Sequence, residues 1–418
     1  MTEIFPRHVA EDILASLEDT PVVVVNGARQ VGKSTLVGAL PYRGTTRSVT
    51  MESPSDRAAA RRDPLAFLDS RVDTMVIDEV QLEPDLFRAI KLEVDRDRRP
   101  GRFVLTGSSR LLSAPDMADS LVGRVEIHDL WPLSQDELEA SRSSFVDRIP
   151  GGAPELPDST LTRGDLAARI CAGGFPEAVR RDRRRRSGWF SSYVTTTVQR
   201  VIRQLSDIDR AARIPQVLEL CAARSGQEVN VSNLSSDLGI PARTLDGYLS
   251  LLSSAFLVHL IPSWSTRISS KAVRRPKMIL LDSGLAASLR GADEDSLRDG
   301  HDAALGPLLE TFVAAEILKL ASWSAARPRV SHFRDRGGAE VDLVLEYPGR
   351  GVVGLEVKAT ATVRDEHFRG LRLLADRLGE RFLFGAVLSL TPHVSPWGPR
   401  MAALPVDSLW RTPPLRDH

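Results

Sequence analysis

Val22-Val23-Val24-Val25-Asn26-Gly27-Ala28-Arg29-Gln30-Val31-Gly32-Lys33-Ser34-Thr35 is the stretch that settles the architecture of this chain. Four successive valines read as a strand covered on both faces, because a half-buried strand alternates apolar with polar residues. Gly27 to Ser34 then satisfies G-x-x-x-x-G-K-[ST] completely, between that strand and a helix expected to begin near Gly32. Such a loop turns its N–H groups inward around a phosphate, and the helix start adds positive potential. Gly27, Ala28, Arg29, Gln30, Val31, Gly32, Lys33, Ser34 and Thr35 are therefore the candidate lining of a triphosphate site. Lys33 is suited to bridge β- and γ-phosphates, and the Ser34 hydroxyl to ligate Mg²⁺.

Working outward, residues 21–130 alternate short apolar strands with amphipathic helices, as a parallel α/β sheet requires. Strands are expected at Val22–Asn26, Ser48–Met51, Thr74–Ile77, Arg102–Leu105 and Val125–His128. The third runs into Asp78-Glu79, an apolar strand ending in two carboxylates. Asp78 is placed to order a Mg²⁺ shell and Glu79 to polarise an attacking water; a helix cap is the structural alternative. Thr106 and Ser108, at the tip of the fourth strand, compete for contact with that water or the γ-phosphate. The fourth strand is expected between those carrying the phosphate loop and Asp78. Arg124 precedes the fifth strand, where it serves either as a finger reaching a neighbouring subunit's nucleotide or as one half of a surface ion pair.

Beyond Trp131 the pattern turns helical. An arginine run, Arg180 to Arg186, reads as a solvated helix face or as a nucleic-acid contact. Residues 212–262 read as three helices followed by a strand pair, a helix-turn-helix pattern with a wing. After Gly306 come a helix (308–320), a hairpin (339–359), a helix (366–377), a strand (382–388) and a proline-rich tail expected to be loose or packed on the surface.

The hairpin carries a second constellation. If its turn centres on Gly349, Asp342 faces Glu356 and Glu340 faces Lys358. Opposed carboxylates repel without a cation, so Asp342, Glu356 and Lys358, with Glu310 on the preceding helix, form a candidate second divalent-metal site able to assist water attack on a phosphodiester. A cross-strand salt bridge is the simpler alternative.

Composition bounds the rest. The chain has 418 residues, 42% hydrophobic and 26% charged, with net charge zero, which suits two or three globular domains and no global attraction to nucleic acid. Two cysteines exclude a disulfide framework. No apolar run approaches a membrane span and the N-terminus lacks a signal-peptide core, so a soluble cytoplasmic protein without membrane contact is expected.

In order, the chain carries the phosphate loop, Ile77-Asp78-Glu79-Val80-Gln81, Leu105-Thr106-Gly107-Ser108-Ser109, Gly123-Arg124, Pro132-Leu133-Ser134, Gly173-Gly174-Phe175-Pro176-Glu177, Asp282-Ser283-Gly284-Leu285, Glu340-Val341-Asp342 and Glu356-Val357-Lys358. This set resembles the prokaryotic AAA+ ATPases that carry a C-terminal domain of unknown function 4143. The resemblance implies an AAA+ P-loop NTPase parallel sheet (1–135), a helical connecting region (136–210), a winged helix (211–265), a linker (266–305) and a restriction-endonuclease-like α/β domain of the PD-(D/E)xK type (306–418). Val341 stands where the nuclease pattern has proline. The expected function is Mg²⁺-dependent ATP binding and hydrolysis coupled to DNA, with an oligomer compatible. An ATP-gated nuclease and a nucleotide-dependent protein switch are the alternatives.

Overall fold

The computed structural model describes residues 4–69, 71–108, 121–202, 213–265, 275–299, 304–335 and 337–411; Ser109 of the motif above lies outside them. The chain divides into two compact units. One comprises Arg7–Pro132 with Ser254–Phe256, the other Met1–Pro6, Leu133–Ser253 and Leu257–His418.

The first unit is built on five strands: β1 (Val22–Gly27), β2 (Thr46–Thr50), β3 (Thr74–Asp78), β4 (Phe103–Gly107) and β5 (Val125–Leu130), in the order β2-β3-β4-β1-β5. Every pairing is parallel, and Val24 stands beside Leu105 on one side and Ile127 on the other. β4 lies between β1 and β3, as its polar tip required. The four valines of β1 are buried because helices cover both faces, each side chain contributing about 1.5–3 kcal/mol. Val22, Val24, Met75, Ile77 and Leu105 pack with Leu86, Phe87 and Ile90 of the helix Asp85–Arg96. Parallel strands share one direction, so the C-terminal ends of β1, β3 and β4 bring Gly27, Asp78 and Gly107 to one edge.

The second unit contains a helical region, a small sheet and a larger one. Helices Ile214–Ala223, Val231–Leu238 and Ala242–Ser254 accompany the antiparallel strands β6 (Gln227–Glu228), β7 (Val258–Ile261) and β8 (Lys277–Leu280), ordered β6-β8-β7. The segment 266–305, expected to be a linker, carries β8 and two helices, Ser283–Leu289 and Glu294–Arg298. Its buried Met278, Ile279, Leu280 and Leu285 explain why.

The larger sheet holds β9 (Arg329–Arg334), β10 (Glu340–Tyr347), β11 (Gly351–Lys358), β12 (Phe382–Ser389), β13 (Ser395–Pro396) and β14 (Met401–Pro405), ordered β13-β14-β12-β11-β10-β9. The hairpin is centred on Gly349, with Leu343 opposite Leu355 and Tyr347 opposite Gly351. The described part of the tail beyond Thr391 is not loose: Met401–Pro405 pairs in parallel with β12 and is wholly buried. Flanking prolines disguised a short apolar strand.

Several motifs between the two ends prove structural. Gly174 N donates to Asp282 Oδ2 at 2.7 Å, and Leu133 N donates to Gly174 O at 2.7 Å. A Cβ on Gly174 would fall 2.2 Å from Leu133 O, so only glycine permits this approach. The arginine run is largely consumed by ion pairs within the second unit: Arg183 binds Asp293 and Asp295, Arg186 binds Glu294, and Arg181 binds Glu177.

Candidate nucleotide site and a buried charge cluster

The loop from Gly27 to Gly32 joins β1 to the helix Lys33–Ala39. Gln30 and Gly32 adopt positive φ, 61° and 97°, the left-handed turns that fold the loop on itself. Lys33 is buried, and its Nζ donates to Gly27 O at 2.9 Å and Ala28 O at 2.8 Å. Ser34 Oγ donates to the Asp78 carboxylate at 2.9 and 3.0 Å. A hydroxyl from the helix after the loop and a carboxylate from the end of β3 therefore converge on one point, the donor set a hard cation such as Mg²⁺ takes.

β4 supplies the next layer. Thr106 Oγ1 donates to Asp78 Oδ1 and accepts from Glu79 N at 3.2 Å. Ser108 Oγ donates to Glu79 Oε2 at 2.8 Å, and Gln81 Nε2 donates to the same oxygen at 2.5 Å. The two sensor candidates thus divide the carboxylates: Thr106 addresses Asp78 and Ser108 addresses Glu79. Glu79 sits at φ 52°, ψ 44°, a sparsely populated conformation for a non-glycine residue that aims its side chain at β4.

Two residues here escaped sequence reasoning. Gln81 grips Glu79 across a turn whose course follows from the left-handed conformation of Glu79. Arg7 Nη1 donates to Val31 O at 2.9 Å and Nη2 to Trp131 O at 2.5 Å, clamping the phosphate loop from a distant N-terminal segment. No local pattern marks an arginine as a partner for carbonyls 24 and 124 residues away. Arg124 is ion-paired to Asp95 at 2.6 Å, the surface-pair arrangement. Arg29 pairs with Glu52 at 3.1 Å, while Thr35 follows Ser34 on the helix.

In the second unit, Glu310 on the helix Leu305–Ser322, Asp342 on β10 and Glu356 and Lys358 on β11 do come together, with the expected hairpin register kept from Leu343 opposite Leu355 onward. The ladder between β10 and β9 shifts register between Val341 and Val344. Asp342 is drawn inward, and its Oδ2 accepts from Val357 N at 2.9 Å. Lys358 binds Glu356 on its own strand at 2.6 Å, whereas Glu340 is exposed beside Arg334 at 3.7 Å, so the expected Glu340–Lys358 pair does not form.

A fifth residue completes the cluster. Lys277 of β8, itself 6% exposed, places Nζ 3.0 Å from Asp342 Oδ1 and 2.5 Å from Glu310 Oε1. Among the described residues, no group of three His, Cys, Asp or Glu side chains is arranged to hold a metal ion. Where a divalent site was expected, a lysine stands among the carboxylates. Burial, with the Asp342 charge adding to it, pushes the Glu356 carboxyl up to about 8, and burial raises Glu310 to about 7. Burial and the Lys277 charge lower the His332 imidazole to about 4. Beside Lys277 and Glu310 opens a cavity of about 420 Å³, lined also by Arg224, Asn230, Arg275 and His332.

Five parallel strands in the order β2-β3-β4-β1-β5, with a phosphate loop after β1 and paired carboxylates after β3, define the AAA-type P-loop ATPase fold. Residues 19–139 match the AAA domain family, residues 163–296 a domain of unknown function numbered 8612, and residues 305–409 the domain of unknown function 4143. The uncharacterized proteins Rv2008c of Mycobacterium tuberculosis and Mb2031c of Mycobacterium bovis are each 31% identical over 362 residues, 85% of this chain and 74% of theirs. The chain belongs to the prokaryotic AAA+ ATP-binding proteins with a C-terminal domain of unknown function 4143. It also resembles the Walker-type ATPase Paby2304 of Pyrococcus abyssi at 17% identity, covering 69% of this chain and 96% of that one with a TM-score of 0.44. That likeness is too loose to carry an argument. Among the described residues no helix is long and apolar enough to cross a membrane.

Proposed function

We propose that this chain binds ATP with Mg²⁺ at residues 27–35 and hydrolyses it, coupling nucleotide state to DNA. The observation that carries the reading is the convergence of Ser34 and Asp78 within 3.0 Å beside a carboxylate, Glu79, held separately by Ser108 and Gln81. Ser34 and Asp78 would hold the metal, which supplies charge neutralisation for phosphoryl transfer. Lys33 exchanges its loop carbonyls for phosphate oxygens, which are stronger partners for an ammonium. Glu79 accepts the proton of the attacking water, and Ser108 orients it.

The DNA part of the reading rests on the second unit. Three helices and a three-stranded antiparallel sheet, with β6 between the first two helices and β7 and β8 after the third, agree with a winged helix, a common DNA-binding module. Arg184 and Arg185 are exposed, like Arg180 and Arg183, but Arg183 is tied to Asp293 and Asp295 and Arg180 lies near Glu177. The six-stranded C-terminal sheet suits a restriction-endonuclease-like domain, but cleavage has weaker support because Lys277 stands among the carboxylates. Steady-state ATPase assays with and without single- and double-stranded DNA test the proposal. DNA-stimulated turnover is expected; turnover indifferent to both forms would favour the protein-switch alternative, and absence of turnover would remove the enzyme reading.

A further inference from the structure

We infer that Lys277 is the resident cation of the C-terminal carboxylate cluster and that, while it is there, the cluster takes no divalent metal. A fold of the restriction-endonuclease type implies a metal held by carboxylates from one helix and two strands. Glu310, Asp342 and Glu356 have that distribution here. The donor set nevertheless does not fit a free metal site. Lys277 Nζ lies between Glu310 Oε1 at 2.5 Å and Asp342 Oδ1 at 3.0 Å, so one oxygen of each carboxylate is already committed to a cation. The second oxygen of Asp342 is committed to Val357 N at 2.9 Å. Glu356 Oε1 accepts from Lys358 at 2.6 Å, and its Oε2 is buried with no hydrogen-bond partner.

Charge counting leads the same way. Three carboxyl groups face two ammonium groups, Lys277 and Lys358, so a single proton retained among the acids balances the cluster without any ion. Adding a divalent cation beside the buried Lys277 and the half-buried Lys358 would leave excess positive charge in a poorly solvated site, which is costly. Lys277 is also held in place by strand pairing. It begins β8, whose central position between β6 and β7 fixes the backbone from which Nζ projects. Position 277 lies outside the hairpin motif, because β8 belongs to the small sheet.

The test is Mn²⁺ binding followed by electron paramagnetic resonance on the full chain without nucleotide. Asp78→Asn is introduced throughout to silence the P-loop's own metal. This parent is expected to take up no stoichiometric Mn²⁺. Adding Lys277→Met should create one site per chain, lost again on further Asp342→Asn, and Mn²⁺ should raise the melting temperature of the Lys277→Met protein but not of the parent. One Mn²⁺ bound by the parent and removed by Asp342→Asn would overturn the inference, and that arm needs no change at Lys277. A folded Lys277→Met protein that takes up no Mn²⁺ would overturn it equally. ATP binding enters neither readout, so failure of the ATPase reading would be seen separately.

Discussion

Ser108 donates its hydroxyl hydrogen to Glu79 Oε2 across 2.8 Å, linking the tip of β4 to the tip of β3. Gln81 donates to the same oxygen at 2.5 Å, so the candidate base is held by two neutral donors. Two donors on one oxygen fix where this carboxylate points.

Glu79→Gln is therefore expected to keep ATP affinity and to lower kcat at least a hundredfold, because an amide cannot accept the water proton. Ser108→Ala should lower kcat about tenfold with little change in KM. Equal turnover in Glu79→Gln and the parent, measured by phosphate release, would remove Glu79 from the mechanism.

Arg7→Ala removes two donors to the carbonyls of Val31 and Trp131. Hydrogen bonds from a charged group are worth about 1.5–3 kcal/mol each, less where water substitutes. The loop is then less organised, and nucleotide affinity should weaken roughly tenfold, about 1.4 kcal/mol. Calorimetric titration with a non-hydrolysable ATP analogue checks this; unchanged affinity would make Arg7 a purely structural tie.

Arg124 and Asp95 form a partly exposed pair, for which exchange to alanine costs about 0–1 kcal/mol. Arg124→Ala should leave kcat within about threefold. A loss of about a thousandfold at protein concentrations that favour association would instead mark a residue acting across subunits.

Glu356 sets a pH signature. Its folded-state value near 8 lies above its ordinary 4.5, so its contribution to stability is complete below 4.5 and is lost as pH rises through 8. His332, held near 4, acts with the opposite sign and only below about 6.5. Between pH 6.5 and 8.5 the parent should lose stability, by at most about 1.4 kcal/mol per unit from this group. Glu356→Gln should flatten that slope, leaving the smaller part due to Glu310. Parallel melting curves for the two proteins across this range would contradict the assignment.

DNA contact has its own check. Because Arg183 is tied to Asp293 and Asp295, the informative change is Arg184→Glu with Arg185→Glu. Affinity for DNA should fall and its dependence on salt become shallower. Unaltered binding would return the whole run to a solvated face.

The five parallel strands, the phosphate loop and the Asp78-Glu79 pair were legible along the chain, because each depends on local spacing: apolar runs, glycine positions, and carboxylates at a strand's end. The hairpin about Gly349 was legible for the same reason. Contacts that depend on an unusual turn or on segments far apart were not. Gln81 reaches Glu79 only through the left-handed turn at Glu79, Arg7 reaches the loop from outside any motif, and the shift at Val341–Val344 redirects Asp342 away from its simple alternation. Lys277 joins Glu310 and Asp342 because the small and large sheets belong to one packed unit. A charge-balanced interior can be completed by any residue the fold delivers, and nothing in local periodicity says which one that is.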